Sequence, residues 1–285
     1  LWVLAMASLA VYGVVLAGWS SGSNYPLLGG IRSTAQMISY EVGMSLGLIA
    51  VILYSGTLTM SGIVAVQARH FHVTGLGWLP KWNIFLQLPA FLIYAAAALA
   101  ETNRPPFDLA EAETELVAGY HTEYSGIRFA LFFLAEYMHL LTVSAVGVTL
   151  FFGGWHGPMF DLLPWLWPVL WFGAKLFAVV FAFVWVRATL PRFRYDKLMA
   201  FGWKVLIPAG LLWILITAAA VVLPGVRGSN VNAAILIGAG TVALISIVGP
   251  LFIGTPRSLV ARTPPAGAMP IPPPGGPAPA EGARR

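Results

Sequence analysis

The chain has 285 residues, of which 58% are hydrophobic and only 9% are charged, and its mean hydropathy is +0.80. A soluble domain carries roughly 25% charged residues, so a water-soluble enzyme is excluded. The chain has no cysteine, which removes disulfides, thiolate nucleophiles and any iron–sulfur cluster held by its own thiolates. The composition predicts a polytopic membrane protein. The net charge of +5 does not indicate nucleic-acid binding, because the basic residues follow a membrane topology.

Apolar stretches long enough to cross a bilayer, about 20 residues each, follow one another along the chain. Seven such stretches are predicted: 1–20, 33–57, 83–101, 128–153, 165–187, 203–223 and 232–254. The first lacks a basic lead-in and an A-x-A cleavage site, so we interpret it as a span and expect the start of the protein to be missing here. The fold class is therefore all-α, with a transmembrane domain over 1–254. The Pro/Gly/Ala-rich tail over 255–285 is expected to be disordered.

The basic residues orient these spans. Seven spans place twelve Lys and Arg residues on one side of the membrane and three on the other, while Lys175 lies within a span. The positive-inside rule therefore predicts that the 102–127 loop and the tail are cytoplasmic. The 58–82 loop then faces outward, and its apolar run at 63–66 predicts a short helix lying on the surface.

Acidic residues concentrate around the 102–127 loop, where seven of the eleven in the chain lie between 101 and 136. Asp108 and Glu111 fit a capping box at a helix start, so a structural and a chemical role stay open for both. Glu113 and Glu115 gain less from capping and lie among apolar side chains. Crowded carboxylates in a half-dry site titrate as a coupled set, which favours proton handling over metal binding, although their spacing alone leaves a metal site open.

Ionisable residues also occur inside the predicted spans. Glu41 and Glu136 lie about 14 and 12 Å into their spans by the helical rise, Lys175 lies near the middle of another, and His139 shares a helix face with Glu136. Each intramembrane charge costs at least roughly 2.5 kcal/mol, so pairing or hydration is expected. A Glu–Lys pair that only joins helices is one explanation. Several groups at one depth favour a proton relay, with hydrogen bonds through Ser39, Tyr40 and Tyr137.

Three sequence blocks resemble one known family. The segment AETNRPPFDLAEAETELVAGYHTEYSG at 100–126, followed by FFLAEY at 132–137, resembles the signature of the quinone-chamber membrane subunit of the proton-pumping NADH:quinone oxidoreductase, respiratory complex I. The blocks QMISYE at 36–41 and VRATLPRFRYDKLM at 186–199 agree with it. The resemblance covers roughly residues 1–223.

The resemblance implies a family core of eight tilted helices, of which the first two are missing here, with span 232–254 and the tail as additions. These additions suggest a GC-rich actinobacterium, with menaquinone as the quinone. No redox cofactor is expected on this chain, since FMN and the iron–sulfur clusters belong to partner subunits. The 102–127 loop would contact the peripheral subunit that carries the last cluster, where quinone is reduced. The small membrane subunits and lipid are further partners, in a bacterial plasma membrane.

The resemblance also implies roles for individual residues. Quinone reduction would change the conformation of the loop and the protonation of its carboxylates, and so drive proton movement. Together with the charges inside the spans, it assigns a proton relay and coupling role to Glu41, Glu101, Glu136, Glu113, Glu115 and Lys175. The quinone chamber, the loop sensors and the cytoplasmic interface would use Arg104, Asp108, Glu111, Glu123, Arg187, Arg192, Arg194 and Asp196. No metal site is expected.

Three alternatives remain open from the sequence. The homologous subunit of a membrane-bound hydrogenase would share the fold, although the intact 111–126 stretch favours the quinone enzyme. A stand-alone transporter predicts inverted repeats and broken helices at corresponding positions, and the sequence shows neither. A purely structural anchor would have no need of charges at mid-membrane depth.

Overall fold

The computed structural model describes residues 2–68, 81–103, 107, 119–157, 163, 165–190 and 195–222. Within these ranges all regular secondary structure is helical, and four helices are long and apolar enough to cross a membrane. The predicted all-α membrane fold is confirmed.

The described helices are numbered in chain order. Their bounds are α1 Trp2–Ser8, α2 Ala10–Ser20, α3 Asn24–Ser55, α4 Met60–Gln67, α5 Asn83–Leu86, α6 Leu88–Glu101, α7 Gly126–Phe151, α8 Trp167–Thr189, α9 Tyr195–Phe201 and α10 Ile207–Val222. A 3-10 turn at Gly119–His121 precedes α7, and a π-helical segment at Gly202–Leu206 joins α9 to α10.

Four of the predicted spans are continuous apolar helices, namely α3, α7, α8 and the unit formed by α9, the π-helical segment and α10. The predicted spans 1–20 and 83–101 are each divided into two shorter helices. In the second, Pro89 lies at the start of α6, where its fixed φ favours a new helix and its missing N–H costs nothing. The predicted span 232–254 and the 255–285 tail lie outside the described residues.

Helix α3 is the centre of the fold, since it contacts α2, α4, α6, α10, the 3-10 turn and the π-helical segment. Small residues allow these contacts to be close. A Cβ on Gly18 of α2 would lie 2.8 Å from the Pro26 carbonyl oxygen and 3.2 Å from Gly30 Cα of α3. On the other side of α3, a fully buried Tyr40 belongs to the same apolar core as Trp213 of α10.

Contacts between α3 and its neighbours distinguish two ends of the bundle. Gly29 of α3 lies against Gly119, and Gln36 lies against the last turn of α6. We call this the charged end, since it brings together the start of α3, the end of α6, the 3-10 turn and the start of α7. At the opposite end, the buried Gln67 of α4 bonds the backbone of Asn83 and Gly153.

The short helix predicted at 63–66 exists as α4, with one face buried in the bundle and with Met60, Ser61 and Ala65 exposed. Ile63 and Val64 are 1% and 0% exposed, because α4 packs against α7. Gln67, also fully buried, donates to the Thr149 carbonyl of α7 at 3.0 Å. The Gln67 amide therefore ties the buried face of α4 to α7.

Helix α8 lies at the edge of the described bundle. It contacts α7 and has no buried residue. A cavity of about 310 Å³ is lined by residues of α6, α7 and α8, with Phe91, Tyr94, Ser144, Lys175 and Phe183 among them. The lining is almost entirely apolar, and it includes none of the acidic residues singled out in the sequence.

Candidate functional site

Glu101 ends α6 at the charged end of the bundle, where its side chain is only 4% exposed. The chain turns directly after it, and Asn103 adopts a left-handed conformation with φ of 49°. The turn is held from α3 by Gln36, whose amide nitrogen donates to the carbonyls of Ala100 at 2.7 Å and Phe107 at 2.8 Å. The position of Glu101 is therefore set by a side chain from the central helix.

The Glu101 carboxylate faces His139 of α7. Nε2 of His139 lies 3.2 Å from Oε1 of Glu101, an ion-pair distance, but the two atoms are not aligned as a hydrogen bond. The other carboxylate oxygen, Oε2, is buried and makes no hydrogen bond. Glu41 of α3 interacts electrostatically with both Glu101 and His139. Three helices therefore bring ionisable groups to one place.

Glu136 lies one turn before His139 on α7 and contacts a different imidazole, that of His121. Nε2 of His121 lies 3.4 Å from its Oε1, and the Tyr120 hydroxyl donates to the same oxygen at 3.0 Å. Glu136 is 13% exposed and His121 2% exposed. Both partners come from the 3-10 turn, which the close contact between Gly29 and Gly119 holds against α3.

Aromatic rings enclose the imidazole of His121. The rings of Phe129, Phe132 and Phe133 lie 5.3 to 6.2 Å from it, centroid to centroid. Such surroundings lower the local dielectric, so the interaction between His121 and Glu136 is stronger than it would be in water.

We call Glu41, Glu101 and Glu136 the carboxylate row. Glu41 interacts electrostatically with Glu101 and His139, and Glu136 lies one turn from His139 on α7. His139 stands beside Glu101 and His121 beside Glu136, and residues 136 and 139 are neighbours on one helix face. Carboxylates and imidazoles at such distances can exchange protons directly or through one water molecule.

The predicted hydrogen bonds from Ser39 and Tyr40 to the relay groups are wrong. The Tyr40 hydroxyl donates to the Leu198 carbonyl at 3.0 Å, and the Ser39 hydroxyl oxygen accepts from the Trp203 indole at 3.1 Å. Both side chains instead fasten α9 and the π-helical segment to α3. Tyr120, to which the sequence analysis assigned no role, donates to the relay carboxylate of Glu136.

Lys175 lies away from the carboxylate row. Its ammonium group donates to the carbonyls of Phe152, Gly154 and His156 at 2.8, 3.0 and 2.6 Å, and lies 4.7 Å from the centre of the Trp82 ring. Phe152 is sixteen residues beyond Glu136, about 24 Å along the helix. The expectation of a common depth for Lys175 and Glu136 is therefore wrong, because the long side chain reaches toward the opposite end of the bundle.

The other predicted site residues in the described ranges lie on the surface. Glu123 precedes α7, Arg187 lies in the last turn of α8 and Asp196 in the first turn of α9, and all three are exposed. The structure does not bring them into the carboxylate row. Seven predicted site residues lie outside the described residues: Arg104, Asp108, Glu111, Glu113, Glu115, Arg192 and Arg194.

Sequence reasoning assigned no role to Gln36, Tyr120 or His121. All three belong to the quoted blocks, but nothing in their spacing shows which carboxylate or carbonyl they face. The shared helix face of Glu136 and His139 was visible in the sequence, whereas the contact between His139 and Glu101 was not. Within the described ranges, no cluster of three or more histidine, aspartate or glutamate side chains is placed to hold a metal ion.

Comparison with known protein families gives this arrangement a context. The family model described as NADH dehydrogenase matches residues 1–218, which include every helix that contributes to the carboxylate row. The match covers well over half of the chain and agrees with the family expected from the sequence blocks. The chain therefore belongs to the NADH dehydrogenase family, as a membrane subunit of the complex I type.

Proposed function

We propose that this chain is the membrane subunit that builds the quinone chamber of a proton-pumping NADH:quinone oxidoreductase, and that it couples quinone reduction to proton movement through the carboxylate row. The proposal rests on one observation: three helices bring Glu41, Glu101 and Glu136 to the same end of the bundle, and Glu101 and Glu136 each lie beside an imidazole. The family match supports the assembly, and the enclosed acidic groups support the coupling role within it.

The chemistry of the row suits coupling. Glu101 acts electrostatically on Glu41, so a change of charge at Glu101 is felt at Glu41 on the neighbouring helix. Glu136 accepts a hydrogen bond from Tyr120 in the 3-10 turn that ends the 102–118 segment. A movement of that segment when quinone is reduced would move the donor and change the charge that Glu136 can hold. The acidic residues of the segment, including Glu113 and Glu115, would sense the reaction.

The remaining parts of the proposal concern partners and place. The chain binds quinone in a chamber shared with the peripheral subunit that carries the terminal iron–sulfur cluster. It holds no redox cofactor, and FMN and the clusters belong to partner subunits. It spans the bacterial plasma membrane with the charged end at the cytoplasmic side, in keeping with the excess of Lys and Arg on that side.

The coupling role is tested by Glu136→Gln and Glu101→Gln in the assembled complex. Each change keeps the shape of the side chain and removes its charge and its exchangeable carboxyl proton. We expect normal assembly and at least about 10-fold lower quinone reductase activity and proton uptake into inverted vesicles, since a positioned proton-transfer group typically contributes about 100-fold or more.

Thr142→Val is the matched control on α7, because the Thr142 hydroxyl bonds only its own helix at Met138. This variant should keep activity and proton uptake. Wild-type proton uptake in both glutamine variants would refute the coupling role. Co-purification of a hydrogenase large subunit, without flavin and iron–sulfur subunits of an NADH dehydrogenase, would refute the assignment to the quinone enzyme.

Orientation is tested separately with single cysteines, since the chain has none of its own. Ser125 lies at the charged end and Leu58 near the opposite end, and both are exposed. A membrane-impermeant maleimide should label Leu58→Cys in intact spheroplasts and Ser125→Cys only after the membrane is opened. The reverse pattern would refute the orientation.

A further inference from the structure

His139 has a position that the carboxylates of the row do not share. It contacts Glu101, yet its own side chain is 17% exposed, whereas Glu101 is 4% exposed. The imidazole therefore has one side against the enclosed carboxylate and another that is partly exposed at the outer face of α7. Among the described residues, it is the ionisable group that both touches Glu101 and reaches this face.

Glu101 has no other direct route for a proton within the described contacts. Its Oε2 is buried without a hydrogen-bond partner, and its interaction with Glu41 is electrostatic only. Proton transfer needs a hydrogen-bond path, directly or through water. The imidazole of His139 lies between Glu101 and the outer face of α7. An imidazole can take up a proton at one ring nitrogen and release a proton from the other.

We propose that His139 is a proton-transfer residue of the row, which carries protons between Glu101 and the exposed face of α7. This inference rests on the proposed coupling function and adds a residue and a direction to it. Charged groups face His139 from each helix packed around it: Glu101 from α6, Glu41 from α3 and Glu136 one turn earlier on α7.

The transfer balances without any further reactant. The O–H bond of protonated Glu101 breaks as Nε2 of His139 takes the proton, which leaves a carboxylate beside an imidazolium. The Nδ1–H bond then breaks, and that proton passes to a base at the partly exposed side of the ring, a carboxylate of an adjacent subunit or a water molecule that it holds. Rotation of the neutral ring returns an unprotonated nitrogen to Glu101. The 3.2 Å separation without hydrogen-bond alignment fits a contact that forms and breaks with small rotations.

The test uses the whole complex carrying His139→Gln or His139→Ala, with NADH-driven proton uptake into inverted vesicles as the readout. We expect proton uptake to fall by at least about tenfold in both variants. Millimolar imidazole, which fits the space left by the removed ring, should restore uptake in His139→Ala. It should not restore uptake in Glu101→Gln. His156→Gln is the matched control, a histidine at the opposite end whose side chain is far from the row.

A purely structural role would not give rescue by a freely diffusing imidazole. Uptake within twofold of wild type in His139→Gln, or a loss in His139→Ala that imidazole leaves unchanged, would overturn the proposal. If His139→Ala does not assemble, the uptake of His139→Gln decides alone. Loss in Glu101→Gln with normal uptake in His139→Gln would overturn this inference only, whereas normal uptake in both Glu101→Gln and Glu136→Gln would overturn the coupling function itself.

Discussion

Gln36 offers the sharpest test of how the site is held. Its side chain is fully buried in α3, and its amide nitrogen bonds two carbonyls on either side of the turn that carries Glu101, those of Ala100 and Phe107. Gln36→Leu has nearly the same volume and removes both donors. The change should therefore loosen the turn without opening a large cavity.

The magnitude follows from the two bonds. A buried hydrogen bond contributes about 1 kcal/mol net, so losing both should cost about 2 kcal/mol of local stability. Since about 1.4 kcal/mol corresponds to a factor of ten, the turn should open about 30-fold more often. Hydrogen–deuterium exchange of the amides of Glu101, Thr102 and Asn103 in the purified complex measures this opening directly.

A second buried glutamine supplies the control. Gln67 is also fully buried and also bonds backbone groups, but at the opposite end of the bundle. Gln67→Leu should speed exchange near Asn83 and Gly153 and leave the turn at Glu101 unchanged. If exchange at Glu101 in Gln36→Leu stays within about twofold of wild type, the two bonds do not hold the turn and the reasoning fails.

Two further predictions concern packing and charge. Lys175→Met should lower the melting temperature of the detergent-solubilised complex, because three charge-assisted hydrogen bonds of about 1.5 kcal/mol or more each are lost, while protons moved per NADH stay unchanged. Fewer protons per NADH at an unchanged melting temperature would instead place Lys175 in the relay. Gly29→Ala should lower stability and activity together, since its Cβ would lie 2.8 Å from Gly119 Cα, whereas Gly13→Ala has open space and should behave as wild type; equal behaviour of the two would contradict the close contact.

Much of the fold followed from the sequence because crossing a bilayer is a local requirement. A run of about 20 apolar residues suffices, and four of the seven predicted spans are continuous apolar helices. Packing decided what the apolar pattern did not show. In α4 the residues Ile63, Val64 and Gln67 are enclosed, and the Gln67 side chain bonds backbone groups of Thr149 and Gly153.

The sequence by itself determined the membrane class, the family and the presence of enclosed acidic residues, because composition and contiguous motifs carry that information along the chain. Only the tertiary structure decided which groups meet. Glu101 and His139 are 38 positions apart and come into contact because α6 and α7 pack together. Counting residues along the spans predicted that Lys175 and Glu136 lie at the same depth. In the structure, the flexible Lys175 side chain donates to three backbone carbonyls at the opposite end of the bundle, away from Glu136.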